Sequence, residues 1–374
     1  YGVAGPGRYV SNLISELEKI DTKNHYTIFL TDKGSEQYHP KNPNFKKWIT
    51  NIPWYSIQEQ TALLLDYMRA DVDVLHVPHF NIPILYMKKI IVTIHDLTMH
   101  EFDTTAVTTL PAPVYEIKKA AYMVVINAAA SKAKRIIVPS NTVKEEISQK
   151  LKGAKPEKIF VSYEGVDESL LALSPSDERV LLTRIEEMGI KSRYLLYVGS
   201  AYPHKNLNTL IVSYREFLDR SGMDNQLVLA GKIDDFSQRT AAFSHALKLD
   251  NKVIYAAKFS ENRYVPDRDL AYLYRGALAY IFPSLKEGFS ITPLEAQAFG
   301  VPVVLSDIPT HREIFGDSVL YFDPKSNIDI TEKLKQIVTD ENLRHDLIRA
   351  GFENVKKYSW KKMAKDILGI YESI

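Results

Sequence analysis

The stretch from Pro283 to Ala296 carries the densest chemical signal in the chain, with Glu287 and Glu295 bracketing Gly288, Phe289, Ser290, Ile291 and Thr292. A carboxylate just before a glycine, at the end of an apolar run, suits hydroxyl donors such as those of a sugar. Thr292, Pro293 and Glu295 also have the spacing of a capping box, with Thr292 as N-cap and proline at the first helical position. On that reading Glu295 satisfies its own helix. The loop before it then turns backbone N–H groups and the positive end of the helix dipole outward, a natural site for a phosphate. Spacing leaves both roles of Glu295 open.

A second junction runs Tyr197-Val-Gly199-Ser200-Ala-Tyr-Pro-His204-Lys205-Asn206. Lys205 reads either as a solvated surface charge or as a point charge on a phosphate. Asn206 or Asn208 is expected to cap the helix that follows. His95 ends the apolar run Ile91-Val-Thr-Ile94. A lone histidine is usually structural, but at a strand end facing a ligand crevice the balance moves toward function. Gly2, Gly5 and Gly7 precede Arg8-Tyr9 as a glycine-rich loop of the kind that approaches phosphates.

Metal candidates are poor. Asp71-Val-Asp73 has carboxylates at a spacing that can hold Mg²⁺, yet it stands at the start of a strand, away from the ligand-binding ends. Asp267-Arg-Asp269 reads as a helix N-terminus, and His76 and His79 lack a third ligand. No metal site is expected.

Parallel strands must position these groups. Eleven short apolar runs read as strands: Tyr26–Thr31, Val72–Val77, Ile90–Ile94, Arg135–Val138, Ile159–Ser162, Tyr194–Val198, Gln226–Ala230, Val253–Tyr255, Ala279–Phe282, Pro302–Leu305 and Val319–Phe322. Most are continuous rather than alternating, as in sheets covered on both faces. Amphipathic segments separate them, beginning with Val10, Leu13, Ile14, Leu17 and Ile20 at helical spacing and ending with a helix over Trp360–Ile374. Strands alternating with helices predict an α/β fold of βαβ units. Size favours two Rossmann-like domains with a boundary between Ser162 and Tyr194, and a crevice where strand ends of both sheets meet.

Composition excludes several classes. In 374 residues, Lys plus Arg is 47 and Asp plus Glu is 46, a formal charge of +1. That is unlike a dedicated nucleic-acid binder. Cys is 0, which removes disulfides, thiolate metal sites and cysteine nucleophiles, and fits a cytoplasmic location. Gly-x-Ser-x-Gly and Walker A patterns are absent. The basic clusters Lys118-Lys119 and Lys132, Lys134 and Arg135 read first as solvated faces and second as an approach to an anionic membrane.

In order along the chain, the motifs resemble glycosyltransferase family 4, whose members are retaining enzymes with the GT-B fold, two Rossmann-like domains facing across a cleft. They are the Gly5-Pro-Gly7-Arg8-Tyr9 start, His95-Asp96-Leu97, Pro139-Ser140-Asn141, Glu164-Gly165-Val166-Asp167, Lys205-Asn206, the E-x7-E pair Glu287 and Glu295, and Ser306-Asp307. The resemblance implies an N-terminal acceptor-side domain over 1–165, a nucleotide-sugar domain over 166–357, and a terminal helix over 358–374 that returns to the first. It implies catalytic roles for His95, Glu287 and Lys205. His95 would lie beside the sugar, Glu287 would hold its hydroxyls, and Lys205 would neutralise the diphosphate. Glu295 would hold the ribose. Gly5, Gly7, Gly199, Ser200, Lys205, Gly231, Lys232, Gly288, Phe289, Ser290, Ile291 and Thr292 would complete the donor site. Ser200 stands where many members have arginine, and Ser290 where many have a second glycine.

The donor implied is GDP-mannose ahead of a UDP-hexose, and the acceptor a saccharide or lipid-linked glycan, with no cofactor and no metal. A silent nucleotide-sugar-binding protein and a UDP-sugar epimerase are the alternatives. Members place a strand before the glycine-rich loop, so a chain opening on Tyr1 is expected to be a fragment lacking that strand.

Overall fold

The computed structural model describes residues 5–53, 55–101, 111–173, 177–191 and 193–374. They divide into two compact units, one drawn from Tyr1–Leu97, Thr108–Glu164 and Ser359–Ile374, the other from Thr98–Val107 and Gly165–Tyr358. Thr98–Glu101, kept in the N-terminal domain by the sequence reading, goes with the second unit, where Glu101 pairs with Lys286 at 2.8 Å.

The second unit is built on β7 (Tyr194–Val198), β8 (Gln226–Ala230), β9 (Val253–Tyr255), β10 (Ala279–Phe282), β11 (Val303–Ser306) and β12 (Leu320–Phe322). All pair in parallel, in the order β12-β11-β10-β7-β8-β9. Numbered within the unit this is the doubly wound order 3-2-1-4-5-6, which reverses direction between β7 and β10. Leu195, Leu196, Leu227, Val228, Tyr280, Ile281, Val304 and Leu305 are fully buried, which explains the continuous apolar runs.

The first unit is arranged differently. Here β3 (Val74–Val77), β4 (Lys89–Thr93), β5 (Arg135–Val138) and β6 (Ile159–Val161) form one parallel sheet, while β1 (Tyr26–Leu30) pairs, among the described residues, with β2 (Phe45–Ile49) in another. The strand β2 is absent from the sequence reading. A cavity of about 950 Å³ is lined by β1 along its whole length and by β3 along its whole length. The helix Gly5–Ile20 roofs it with Val10, Leu13, Ile14 and Leu17, and packs against the last helix, Trp360–Glu372. Gly5 and Gly7 therefore sit in the first turns of a helix rather than in the expected loop. Gly2 lies outside the described residues.

Candidate functional site

In the second unit the C-terminal ends of β7 and β10 bring two of the singled-out residues together. Lys205 closes a short turn after β7, and Glu287 follows β10. The Leu285 N–H donates to the His204 carbonyl at 2.8 Å, tying the two loops side by side. Lys205 Nζ then donates to Glu287 Oε1 at 2.5 Å, with side chains only 15% and 12% exposed, and lies 5.4 Å from the Phe282 ring centroid. A charge pair this enclosed is oriented rather than solvated.

The loop after Glu287 is held from one neighbouring helix, Pro309–Phe315. Thr310 Oγ1 donates to the Glu287 carbonyl at 2.8 Å. His311 is fully buried, and burial pushes its pKa down to about 4, so the ring is neutral. Its Nδ1 faces the Ser306 carbonyl at 2.8 Å, which only accepts, so Nδ1 carries the proton. Nε2 accepts from Ser290 Oγ at 3.1 Å. Ser290 has φ 82° and ψ 74°, a left-handed backbone that disfavours a side chain. The bond to His311 offsets part of that cost.

The capping box is not formed. The helix spans Ile291–Ala298 with Ser290 as N-cap, two residues earlier than the sequence spacing implied. Thr292 Oγ1 instead accepts from Tyr280 Oη at 2.8 Å, and Glu295, fully buried, accepts from Tyr274 Oη at 2.9 Å. Tertiary tyrosines have taken both members of the local motif. Asn206 is an N-cap without a side-chain cap bond; its Nδ2 reaches the Pro324 carbonyl. Asp267 does begin a helix, in which Asp269 accepts two bonds from Arg184 at 2.9 and 2.7 Å.

Other donor-site candidates gather at the ends of β7, β8 and β9. Gly199, Gly231 and Lys232 line a small cavity of about 60 Å³ together with Tyr255 and Lys258, which the sequence reading did not include. A Cβ on Gly231 would stand 2.1 Å from the Gly199 carbonyl oxygen, so only glycine fits there. Tyr197 Oη donates to the Ser200 carbonyl at 2.6 Å and folds that loop back. Phe289 is buried edge-on against Tyr358. Neither Tyr197 nor His311 was singled out from sequence, although His311 follows a strand end as His95 does.

In the first unit His95 follows β4, with its ring edge-on to Tyr9 at 4.8 Å. Its Nδ1 lies 3.4 Å from Glu164 Oε1 and its Nε2 3.2 Å from the Pro78 carbonyl. Beneath it, Thr93 Oγ1 joins Tyr9 Oη at 3.1 Å and His76 Nε2 at 2.8 Å, and His76 Nδ1 meets Tyr371 Oη of the last helix at 2.5 Å. Asp71 caps a helix in left-handed conformation and pairs with Lys88. Among the described residues no three His, Asp or Glu side chains come together to hold a metal ion.

Two units of parallel βαβ build, one with the doubly wound order and a charged pair at its switch point, define a nucleotide-binding class of architecture. Comparison with known proteins narrows this. The family described as Glycosyltransferase Family 4 matches residues 3–170, and Glycosyl transferases group 1 matches residues 184–354. The chain belongs to glycosyltransferase family 4. It is 27% identical over 312 residues to the O-antigen chain mannosyltransferase RfbU of Salmonella typhimurium, covering 82% of this chain and 77% of that protein. It is 26% identical over 299 residues to O-antigen chain mannosyltransferase B of Escherichia coli, covering 79% and 73%. Among solved structures, a sucrose-phosphate synthase from Thermosynechococcus elongatus superposes with TM-score 0.77 at 17% identity, over 99% of this chain and 94% of that one. Anabaena HepE in complex with UDP and glucose gives 0.74 at 16%, over 100% and 98%. The fold is GT-B, and the protein is a glycosyltransferase.

Proposed function

We propose that this glycosyltransferase moves a hexose, mannose ahead of others, from a nucleotide-diphosphate sugar to a saccharide or lipid-linked glycan in cell-surface polysaccharide synthesis. The observation that carries the reading is the enclosed Lys205–Glu287 pair at the switch point of the doubly wound sheet. Two O-antigen chain mannosyltransferase relatives support mannose as the sugar moved, and we assign GDP-mannose as its donor ahead of a UDP-hexose.

Lys205 is assigned to the diphosphate, and Glu287 to hydroxyls of the transferred sugar. His95 is assigned to the reaction centre and Glu295 to the ribose. Full burial of Glu295 makes the ribose assignment the easiest of the four to refute. Breaking the anomeric C–O bond leaves positive character on the sugar and negative charge on the diphosphate. Lys205 and the N–H groups that begin the helix Ile291–Ala298 stabilise that charge, so no metal is required. The acceptor oxygen bonds to the anomeric carbon on the face the diphosphate leaves, and its proton passes to a leaving phosphate oxygen. Configuration is thereby retained without a protein nucleophile.

Incubation with labelled GDP- and UDP-sugars and a panel of glycan and sugar-lipid acceptors, read by product mass spectrometry in excess EDTA, tests the whole reading. GDP-mannose transfer that Glu287→Gln abolishes is the expected result. Binding without transfer would favour a silent nucleotide-sugar-binding protein, and epimerised UDP-sugar without acceptor would favour an epimerase.

For a lipid-linked acceptor we assign a cytoplasmic place at the inner membrane face. The helix Ala112–Lys132 exposes Val114, Ile117 and Val124 alongside Lys118. No helix among the described residues is long and apolar enough to cross a membrane. Co-sedimentation with anionic but not neutral vesicles, lost on Ile117→Glu, is the test.

A further inference from the structure

Three histidines gather at the C-terminal ends of β3 and β4, and their surroundings drive them apart. His76 is pushed down to about 3, first by burial and then by the positive charge of His95. His79 is pushed down to about 4 by the same two causes in the same order, against the pull of Asp96. Both are therefore neutral. His95 is equally enclosed, but both of its ring nitrogens face acceptors: the Glu164 carboxylate at 3.4 Å and the Pro78 carbonyl at 3.2 Å. A neutral imidazole has one N–H and one lone pair, so it satisfies only one of two acceptors; the imidazolium satisfies both. A lone pair aimed at a carbonyl or at an ionised carboxylate is repelled.

We propose that Glu164 and the Pro78 carbonyl hold His95 as an imidazolium, with Glu164 as its positioning residue. The first unit then presents a fixed, oriented positive charge at its strand ends before any ligand arrives. The groups facing the ring are Glu164 after β6, Asp96 beside it, Pro78 and His79 after β3, His76 on β3, and Tyr9 from the first helix. Burial by itself lowers the pKa of His95; the Glu164 hydrogen bond and charge, with Asp96 and the Pro78 carbonyl, outweigh it and hold it above the usual histidine value. Neutral His76 and His79 add no competing charge. The Thr93 hydroxyl, shared by Tyr9 and His76, fixes the floor on which the ring stands.

The use of this charge rests on the assignment of His95 to the reaction centre. There a cation opposes the negative charge that grows on the departing diphosphate, and acts more strongly because it is screened from water. Glu164 touches no reacting atom; it sets protonation and tilt.

The charge state is testable without turnover. In ¹⁵N-histidine-labelled protein, with His95→Gln identifying the signals, both nitrogens of His95 should carry protons at pH 7. In Glu164→Gln, which keeps an acceptor and removes the charge, the titration midpoint should fall by about one to three pH units. A deprotonated His95 nitrogen at pH 7 in the wild type, or a midpoint unmoved in Glu164→Gln, overturns the proposal. The pH profile of transfer gives the second readout: its high-pH fall should move down with the midpoint in Glu164→Gln while donor KM at low pH stays near the wild-type value. If both nitrogens are protonated yet His95→Gln transfers sugar normally, the charge state stands and the reaction-centre assignment of His95 fails.

Discussion

Each unit sets a cation beside a carboxylate at the C-terminal end of a parallel sheet, and the two pairs are of different kinds. Lys205 and Glu287 meet at 2.5 Å on a continuous six-stranded sheet. His95 and Glu164 stand 3.4 Å apart on a sheet of four, with β1 and β2 set off by the cavity. Strand ends are where open α/β sheets bind ligands, so the shared placement follows from topology. The difference lies in the side chain chosen. Histidine is the one type whose ordinary charge change falls between pH 5 and 8, so only the first unit's pair is set by its neighbours rather than by its residue type.

The sharpest way to break this pairing is to remove the lysine. Lys205→Ala should lower kcat for sugar transfer by about 10²–10³-fold, the usual cost of losing one preorganised charge-stabilising donor. Near-UV circular dichroism checks that the fold is kept. A change in donor KM alone would place Lys205 in ground-state binding and remove it from the chemistry.

Next in size is the pH profile. A raised His95 is charged below its pKa, so transfer should hold at neutral pH and fall as pH rises through that value. Any stability from the His95–Glu164 pair is lost in the same upward direction. A rate that falls on acidification through the neutral range instead would mean the neutral ring is the working form.

Acid stability separates the units further. His76 at about 3, His79 at about 4 and His311 at about 4 are all lowered chiefly by burial. An unfolded chain protonates its histidines below about pH 6.5 while these stay neutral when folded, so stability falls as pH drops from there toward 3. Two of the three lie in the first unit. Hydrogen exchange at pH 5 should therefore open β1–β4 amides before those of β7, β8 and β10. The reverse order would mean that the two histidines do not weaken the first unit.

The sheets were largely legible, and the reasons differ by element. Runs such as Tyr194–Val198 and Gln226–Ala230 are apolar at every position because both faces are covered. Phe45–Ile49 carries Lys46 and Lys47 in an edge strand with one partner, and gives no such run. The Thr292-Pro-Leu-Glu295 motif misled because a capping rule sees only local chain, while Tyr274 and Tyr280 reach in from another helix and strand. Within the candidate site the types of Glu287 and Lys205 stood out, but their pairing spans two loops joined by one backbone bond. The partner of His95 was hidden in the same way, since Glu164 arrives from a strand two places along the sheet.

The smallest expected effect probes how firmly the second unit's loop is held. In Ser290→Gly the left-handed backbone loses a strain of about 1–2 kcal/mol. Against that stand a lost His311 hydrogen bond of about 0.5–1.5 kcal/mol and the greater unfolded-state freedom of glycine, about 0.5–1 kcal/mol. The balance lies between a loss of about 1.5 and a gain of about 1 kcal/mol, a Tm shift of no more than about 6 °C for a unit of this size. A larger fall would mean that the His311 bond is what fixes the loop after Glu287, and donor KM should then rise with it. A rise beyond that range would mean the bond contributes little, and that the second unit stores strain at its ligand-facing loop where the first unit stores charge.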